Sequence, residues 1–372
     1  MKIVADENIP LVQELFGSLG DVVVLPGRQI SAADVRDAEV LLVRSVTQVN
    51  RELLEASSVK FVGTCTIGTD HLDQNYLNSS GITYSSAPGC NAKGVVQYVF
   101  AALAQLQRLD TQLKIGIVGC GNVGGRLYLA LKKAGHTCVC YDPFLSKQDI
   151  EDIGEWNDLF DCDVVCTHTP LTIDGPYPTH HMMSTDFFQQ MKPGALLLNA
   201  GRGAAIDNQA LLHYLRGGNT NDLRIVLDVW EPEPNLDTAL LEFVSLGSPH
   251  IAGYSYEGRT NGSLMIYEAL SRWLGLPDSD TDETIVKAKA KTYGEPIALK
   301  ADSLREAILK TYPILEDDIN LRAVKNSLSK EFDLLRKNYP QRREFSHYTI
   351  LDPATELVSQ YQALGFNVQM TA

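Results

Sequence analysis

Arg202, Glu233 and His250 are the residue types needed to take a hydride and a proton from one hydroxyl-bearing carbon. Arg202 follows the apolar run Leu196–Asn199 inside NAGRG, Glu233 stands in LDVWEPEP just past a predicted strand over 224–228, and His250 lies in SPHIAGY. Taken singly each is ordinary, since a His beside Pro is usually structural and a Glu in an EPEP turn is usually solvated. Together they match a specific chemistry. His titrates near working pH and is the usual base for a hydroxyl proton. A carboxylate beside it favours the imidazolium that forms and fixes the ring. Arg holds a carboxylate bidentately and polarises the neighbouring carbonyl oxygen. The set therefore points to oxidation of a 2-hydroxy acid. Glu231 competes with Glu233 for the acid role.

A hydride needs an acceptor, and the stretch Leu113–Gly125, LKIGIVGCGNVGG, supplies a place for one. Ile115–Val118 reads as a buried strand, and Val123, Leu127, Ala130, Leu131 and Ala134 as the inner face of the following helix. Gly119, Gly121 and Gly124 fit G-x-G-x-x-G between them, with Asn122 and Val123 in the turn. Such glycines allow a tight turn, close approach to a pyrophosphate, and close packing of helix on strand. The helix N-terminus then faces the anion with free N–H groups. A second strand, Thr137–Tyr141, ends in Asp142, eighteen positions after Gly124. An acid there binds the ribose hydroxyls of NAD and repels the 2′-phosphate of NADP; no arginine follows closely, so NAD is the expected cofactor. Asp142-Pro143 also reads as a simple turn opener. Asp228 is placed for the nicotinamide end, and Thr169, in THTP, for the same crevice.

The elements that must position these groups alternate strand with helix. In the first ninety or so residues, strands are predicted at Lys2–Ala5, Asp21–Leu25, Val40–Val43 and Lys60–Thr64, with helices near Pro10–Leu19 and Arg51–Ala56. Polar residues follow the strands, so Arg44, Ser45 and Thr66 are candidate substrate contacts or, equally, caps of the next helix. A long helix over Asn91–Leu109 leads into six strands at 114–118, 137–141, 163–167, 195–199, 224–228 and 249–252. An apolar helix starting near Thr260 returns the chain to the first part. The acidic run Asp278–Glu283 reads as a linker. Beyond it, helices are predicted at Ala301–Lys310, Ser327–Asn338 and Pro353–Leu364, and strands at Tyr348–Leu351 and Asn367–Met370. The expected organisation is α/β, with two doubly wound parallel-sheet domains and a small α/β unit. Residues 1–92 with 253–277 form a flavodoxin-like substrate domain, 93–252 a Rossmann NAD domain, and 278–372 the C-terminal domain.

Composition narrows the function classes. The 372 residues carry a net charge of −14, which argues against a nucleic-acid or membrane-surface partner. An anionic substrate must then be drawn by local cations. Seven cysteines without metal spacing suggest reduced thiols in the cytoplasm and no bound metal; Cys138, Cys140, Cys162 and Cys166 fall in predicted core strands. The opening MKIVADENIP has no basic and apolar leader, and no stretch approaches the length of a membrane span.

The ordered set GCGNVG, YDP, THTPL, NAGRG, LDVWEPEP and PHIAG, over about residues 110–255, resembles the D-isomer-specific 2-hydroxyacid dehydrogenases. That resemblance implies Arg202, Glu233 and His250 as the catalytic trio. It favours Glu233 over Glu231, because the family's Glu lies five places after its Asp, here Asp228. The Arg-to-Glu interval is slightly long, through Gly217–Asp222. Cofactor contacts are implied at Gly119, Gly121, Asn122, Val123, Gly124, Asp142, Thr169, Ala200, Gly201, Asp228 and Gly253. Further segments, among them KIVADENIP, LLVRSVT, GTCTIGTDHLD, HIAGYSYEGR and LRKNYPQRREF, are similar to one branch of the family that oxidises a phosphorylated hydroxy acid. Substrate contacts at Ser45, Thr66 and Tyr254, and a homodimer formed through the C-terminal domain, follow from that similarity. Arg259 and the pair Arg342-Arg343 are additional cations for a phosphate, the pair also reading as plain surface charge. The remaining alternatives are a dehydrogenase for another small acid, of the phosphoglycerate or glyoxylate/hydroxypyruvate type, and an NAD-sensing binding protein.

Overall fold

The computed structural model describes residues 1–109, 111–276 and 283–370. Contacts group the chain into two units, Met1–Asn91 with Ser255–Glu295, and Ala92–Tyr254 with Pro296–Ala372.

The first unit holds a five-stranded parallel sheet: β1 (Lys2–Asp6), β2 (Asp21–Leu25), β3 (Val40–Val43), β4 (Phe61–Thr64) and β5 (Thr83–Ser85). Their order is β2-β1-β3-β4-β5, the flavodoxin-like winding expected. β3 reads VLLV and is buried throughout, because helices cover both faces of the sheet. The helix Tyr256–Trp273 belongs here and starts four residues earlier than Thr260. Ser255 fixes that start, its Oγ accepting the Gly258 N–H at 3.0 Å. Of the predicted linker, residues 278–282 lie outside the described residues, and Glu283 opens a helix, Glu283–Tyr293, that periodicity does not reveal.

The second unit holds β6 (Lys114–Val118), β7 (Thr137–Tyr141), β8 (Val164–Thr167), β9 (Leu196–Asn199), β10 (Arg224–Leu227) and β11 (Leu246–Gly247), all parallel, in the order β11-β10-β9-β8-β6-β7. The winding reverses between β6 and β8, and sheets of this kind take their ligands at such a point, outside the strands' carboxyl ends. The helix Ala92–Gln105 shares one apolar cluster with β6 and β8 and with residues of the C-terminal segment, including Ala301, Ile308, Tyr312, Phe345 and Tyr361. That segment carries a small parallel sheet of its own, β12 (Ile297–Leu299), β13 (Tyr348–Leu351) and β14 (Asn367–Gln369), ordered β12-β13-β14.

One predicted element is corrected. Residues 249–252 are not a strand; the last strand ends at Gly247. Here the backbone turns because its N–H groups bond to Asp228, not to a neighbouring strand. The His250 N–H donates to the Asp228 carbonyl at 2.7 Å, and those of Ile251 and Ala252 donate to its carboxylate at 2.7 and 2.9 Å.

All seven cysteines are buried and unbridged. Among the described residues no helix is long and apolar enough to cross a membrane.

Candidate active site

In the second unit three loops leave the carboxyl ends of β9, β10 and β11 and carry the predicted trio. Asn199, at the end of β9, shapes the first loop. Its side chain accepts the Gly201 N–H at 3.0 Å and donates to the Arg202 carbonyl at 2.9 Å. Arg202 is thereby held in extended backbone, half-buried, with Nη1 donating to the Gly201 carbonyl at 3.0 Å. Gly203 follows against the second loop: a Cβ there would lie 1.8 Å from the Trp230 carbonyl oxygen.

The second loop presents Glu233. Its Oε1 accepts the Trp230 N–H at 2.9 Å, and its Oε2 lies 2.8 Å from His250 Nδ1. Glu231 points elsewhere, with both oxygens within 2.9 Å of His181 Nε2. Burial pushes the Glu233 carboxyl up, but the facing His250, then Arg336 and the Trp230 N–H, outweigh it and hold it below the ordinary carboxylate range.

The third loop aims His250. The residue sits at φ +57°, a left-handed conformation that a non-glycine side chain adopts only when its surroundings impose it. Asp228 imposes it. This carboxylate, 1 % exposed, takes the two N–H bonds described above and a third from the Ser248 hydroxyl at 2.6 Å. Ser248 Oγ in turn lies 2.9 Å from the Tyr98 hydroxyl, and its carbonyl accepts the Trp230 indole N–H at 2.9 Å. Asp228 thus organises the turn that carries His250, which the sequence, reading it as a cofactor contact, does not announce. A carboxylate offers about four acceptor positions, and these three bonds leave one. With Nδ1 committed to Glu233, Nε2 is the imidazole atom left to face a substrate.

The glycine loop fits a dinucleotide. Gly119 adopts φ +83°, and a Cβ on Gly124 would stand 2.0 Å from the Gly119 carbonyl oxygen, so helix and strand meet at van der Waals contact. A Cβ on Gly121 would meet nothing within 4 Å, which leaves its face open to a phosphate. The helix Gly124–Lys133 has no side-chain cap; its Gly125 N–H bonds the Gly121 carbonyl at 2.9 Å, and the N–H groups of Asn122, Val123 and Gly124 come before that bond, in the turn where an anion would be met. Asp142 opens the turn that Asp142-Pro143 suggests and makes one contact the sequence does not announce. Its Oδ1 accepts the Phe144 N–H at 3.1 Å, opening a turn, and its Oδ2 accepts the Cys120 N–H at 3.0 Å, fastening the end of β7 to the glycine loop. Thr169 is buried, and its hydroxyl has no partner among the described residues. Ala200 and Gly201 line the same loop as Arg202, and Gly253 follows the Asp228-bound turn.

Sequence reasoning passed over His168 and Arg336, and read Arg342 only as a cation for a phosphate or as surface charge. The His168 ring nitrogens are buried with no partner among the described residues, and burial pushes the imidazole down to about 4. Its place at the carboxyl end of β8 was the available signal. Arg342 is 6 % exposed, so the expected surface pair Arg342-Arg343 is not one. Its guanidinium stacks on Tyr312 at 4.1 Å and its Nη2 donates to the carbonyls of Ile251 and Ala252. Arg343 Nη2 lies 2.9 Å from His347 Nδ1.

In the first unit, Ser45 is exposed in the turn after β3. Thr66 Oγ1 lies 2.8 Å from Thr64 Oγ1 and donates to the Gly68 carbonyl at 3.1 Å, which orders the turn after β4. Arg259 lies on the helix Tyr256–Trp273 and not on a loop. Tyr254, of the second unit, has its ring edge-on to Tyr339 at 6.0 Å.

The NAD binding domain of the D-isomer-specific 2-hydroxyacid dehydrogenases matches residues 101–252, and a domain of unknown function matches residues 289–365. An erythronate-4-phosphate dehydrogenase of Teredinibacter turnerae is 57 % identical over 368 residues, covering 99 % of both chains. The chain belongs to the erythronate-4-phosphate dehydrogenase family. A second member, from Saccharophagus degradans, is 52 % identical over 373 residues, again covering 99 % of both chains. Among solved structures, a D-lactate dehydrogenase of Aquifex aeolicus complexed with NAD and lactic acid superposes with a TM-score of 0.62 at 22 % identity. It covers 73 % of this chain and 95 % of its own, and at that identity speaks for the fold. The protein is therefore an NAD-dependent oxidoreductase of this family, with a Rossmann cofactor domain.

Proposed function

We propose that this protein oxidises the C2 hydroxyl of 4-phospho-D-erythronate to (R)-3-hydroxy-2-oxo-4-phosphooxybutanoate, a step of pyridoxine (vitamin B6) biosynthesis, in the cytoplasm and as a homodimer joined through its C-terminal part. The observation that carries the chemistry is the 2.8 Å bond between His250 Nδ1 and Glu233 Oε2 beside the Arg202 loop. NAD, when bound, accepts the hydride from C2.

The chain's residues do the rest. Arg202 pairs with the substrate carboxylate and polarises the oxygen on C2. His250 Nε2 takes the hydroxyl proton as the C–H bond breaks. Glu233 favours the resulting imidazolium, and the Asp228-bound turn keeps the ring aimed. Ser45, Thr66 and Tyr254 are read as substrate contacts, with Arg44 as a cation for the phosphate. The cofactor contacts are read as Gly119, Gly121, Asn122, Val123, Gly124, Asp142, Thr169, Ala200, Gly201, Asp228 and Gly253.

The test is NADH formation by purified protein with 4-phospho-D-erythronate, 3-phosphoglycerate and D-lactate side by side, with a 2-oxo acid added in parallel in case cofactor is retained. A strong preference for the erythronate phosphate is expected. Equal or better use of another acid would overturn the substrate assignment and leave the trio standing. His250→Ala should lose most turnover while still binding NAD.

A further inference from the structure

The two buried arginines of the C-terminal segment end on the catalytic turn. Arg342 reaches the carbonyls of Ile251 and Ala252, whose N–H groups are the ones bound by the Asp228 carboxylate. The two residues after His250 are therefore gripped from both sides, by an anion on their donors and a cation on their acceptors. Tyr312 and Tyr339 hold the guanidinium from below, at 4.1 and 5.8 Å from their ring centroids. Burying a charge this way is tolerated only with such partners.

Arg336, near the end of the helix Leu328–Lys337, has a side chain only 11 % exposed. Its guanidinium stands 5.6 Å from the Tyr254 ring centroid, and Nη1 is 3.3 Å from Asp333. Its Nε is buried with no partner among the described residues, so the ion pair with Asp333 does not account for the group. The charges that act on Glu233 are His250 and this guanidinium, and the groups that act on Arg336 are Tyr254, Glu233 and Asp333.

We propose that Arg336 and Arg342 are positioning residues for the His250–Glu233 pair: Arg342 locks the turn that aims the imidazole, and Arg336, a buried guanidinium against the Tyr254 ring, braces Tyr254 and supplies the positive charge that keeps Glu233 ionised. The inference rests on His250 and Glu233 being the acid–base pair. The C-terminal segment then serves catalysis within its own chain, whatever it also does between chains.

The two arginines act differently, so their variants separate. Removing the Arg336 charge lets the His250–Glu233 pair hold its proton to higher pH. In Arg336→Gln the acid limb of the kcat/KM profile should move up by about half a pH unit or more, and kcat at neutral pH should fall about tenfold. Arg336→Lys keeps the charge and should leave the limb in place. Arg342→Lys should lower kcat with the limb unmoved, because that residue works through geometry. The imidazole titration of His250, followed by NMR and assigned by its loss in His250→Asn, reads the same effect without any substrate; it should move up in Arg336→Gln and stay in Arg336→Lys. An unmoved titration in a folded Arg336→Gln protein, or a moved one in Arg336→Lys, overturns the proposal. Should Arg336→Gln fail to fold, the Arg336→Lys titration decides alone. Full turnover in His250→Asn would instead defeat the acid–base reading itself, a distinguishable result.

Discussion

A single methyl at Gly203 should separate Arg202, the proposed substrate-binding arginine, from the proposed acid–base pair His250–Glu233. An added Cβ would lie 1.8 Å from the Trp230 oxygen, 2.2 Å from its carbonyl carbon and 2.8 Å from its nitrogen. Real Cβ atoms essentially never come within 3.0 Å of a neighbour, so the two loops must part by about 1.2 Å, the difference between 3.0 and 1.8 Å. The neighbour is backbone and cannot rotate away. Trp230 also donates its N–H to Glu233, so the displacement passes to the carboxylate that holds His250. Misplacing reacting groups by about 1 Å costs roughly 100-fold in rate, or about 2.7 kcal/mol of barrier. Gly203→Ala should therefore lose about 100-fold in kcat/KM, measured by NADH formation. The overpacking should cost about 1–3 kcal/mol of stability, visible as a lower melting temperature. NAD affinity, set chiefly by the glycine loop, should change far less. A folded Gly203→Ala protein with kcat/KM within about threefold of the parent would show that the Trp230 peptide yields harmlessly, and would refute the reasoning.

Asp317 gives a stability test. Burial pushes its carboxyl up to about 6, against the Tyr312 hydroxyl, Arg342 and the Tyr339 hydroxyl. A carboxyl raised in the fold contributes stability that is full below its unfolded value near 4 and is lost as pH rises through about 6, here about 3 kcal/mol. Melting temperatures of the parent and Asp317→Asn should thus diverge between about pH 4 and 7, the parent losing relative stability as pH rises; parallel curves would contradict this. The thiols give another. Burial pushes Cys138 and Cys162 up to about 12, so a disulfide reagent should label the native chain slowly and all seven cysteines after unfolding. Rapid labelling of the native protein would count against the buried placement.

The sheet around β6, the glycine loop and the position of Arg202 just past a strand were legible because each follows from local rules: apolar runs of strand length, glycines at fixed offsets, polar residues after strands; the choice of Glu233 over Glu231 needed the family resemblance, and the structure shows Glu233, not Glu231, beside His250. The turn at 249–252 was not, since Ile251 and Ala252 look like strand residues until the Asp228 carboxylate is seen to take their N–H groups. β5 and β12, of three residues each, are too short to leave a pattern. The helix Leu315–Ala323 was hidden by a first turn of Glu316, Asp317 and Asp318, which reads as exposed although both aspartates are buried. Arg342 was misjudged because adjacent arginines usually share a wet surface. Only the tertiary structure supplies the tyrosine shelf and the two carbonyls that let one of them go inside.

Ala301, Ile308, Phe345 and Tyr361 lie in the same apolar cluster as the helix Ala92–Gln105 and the cofactor sheet. A dehydrogenase of this fold that ends before such a segment must close that cluster with other side chains. In this chain the C-terminal segment supplies part of that interior. Cutting the chain at Glu295 would leave a hole where β6 and β8 need a wall. The segment is a keystone of the sheet it leans on, so its removal would loosen the glycine loop as well as whatever the segment itself does.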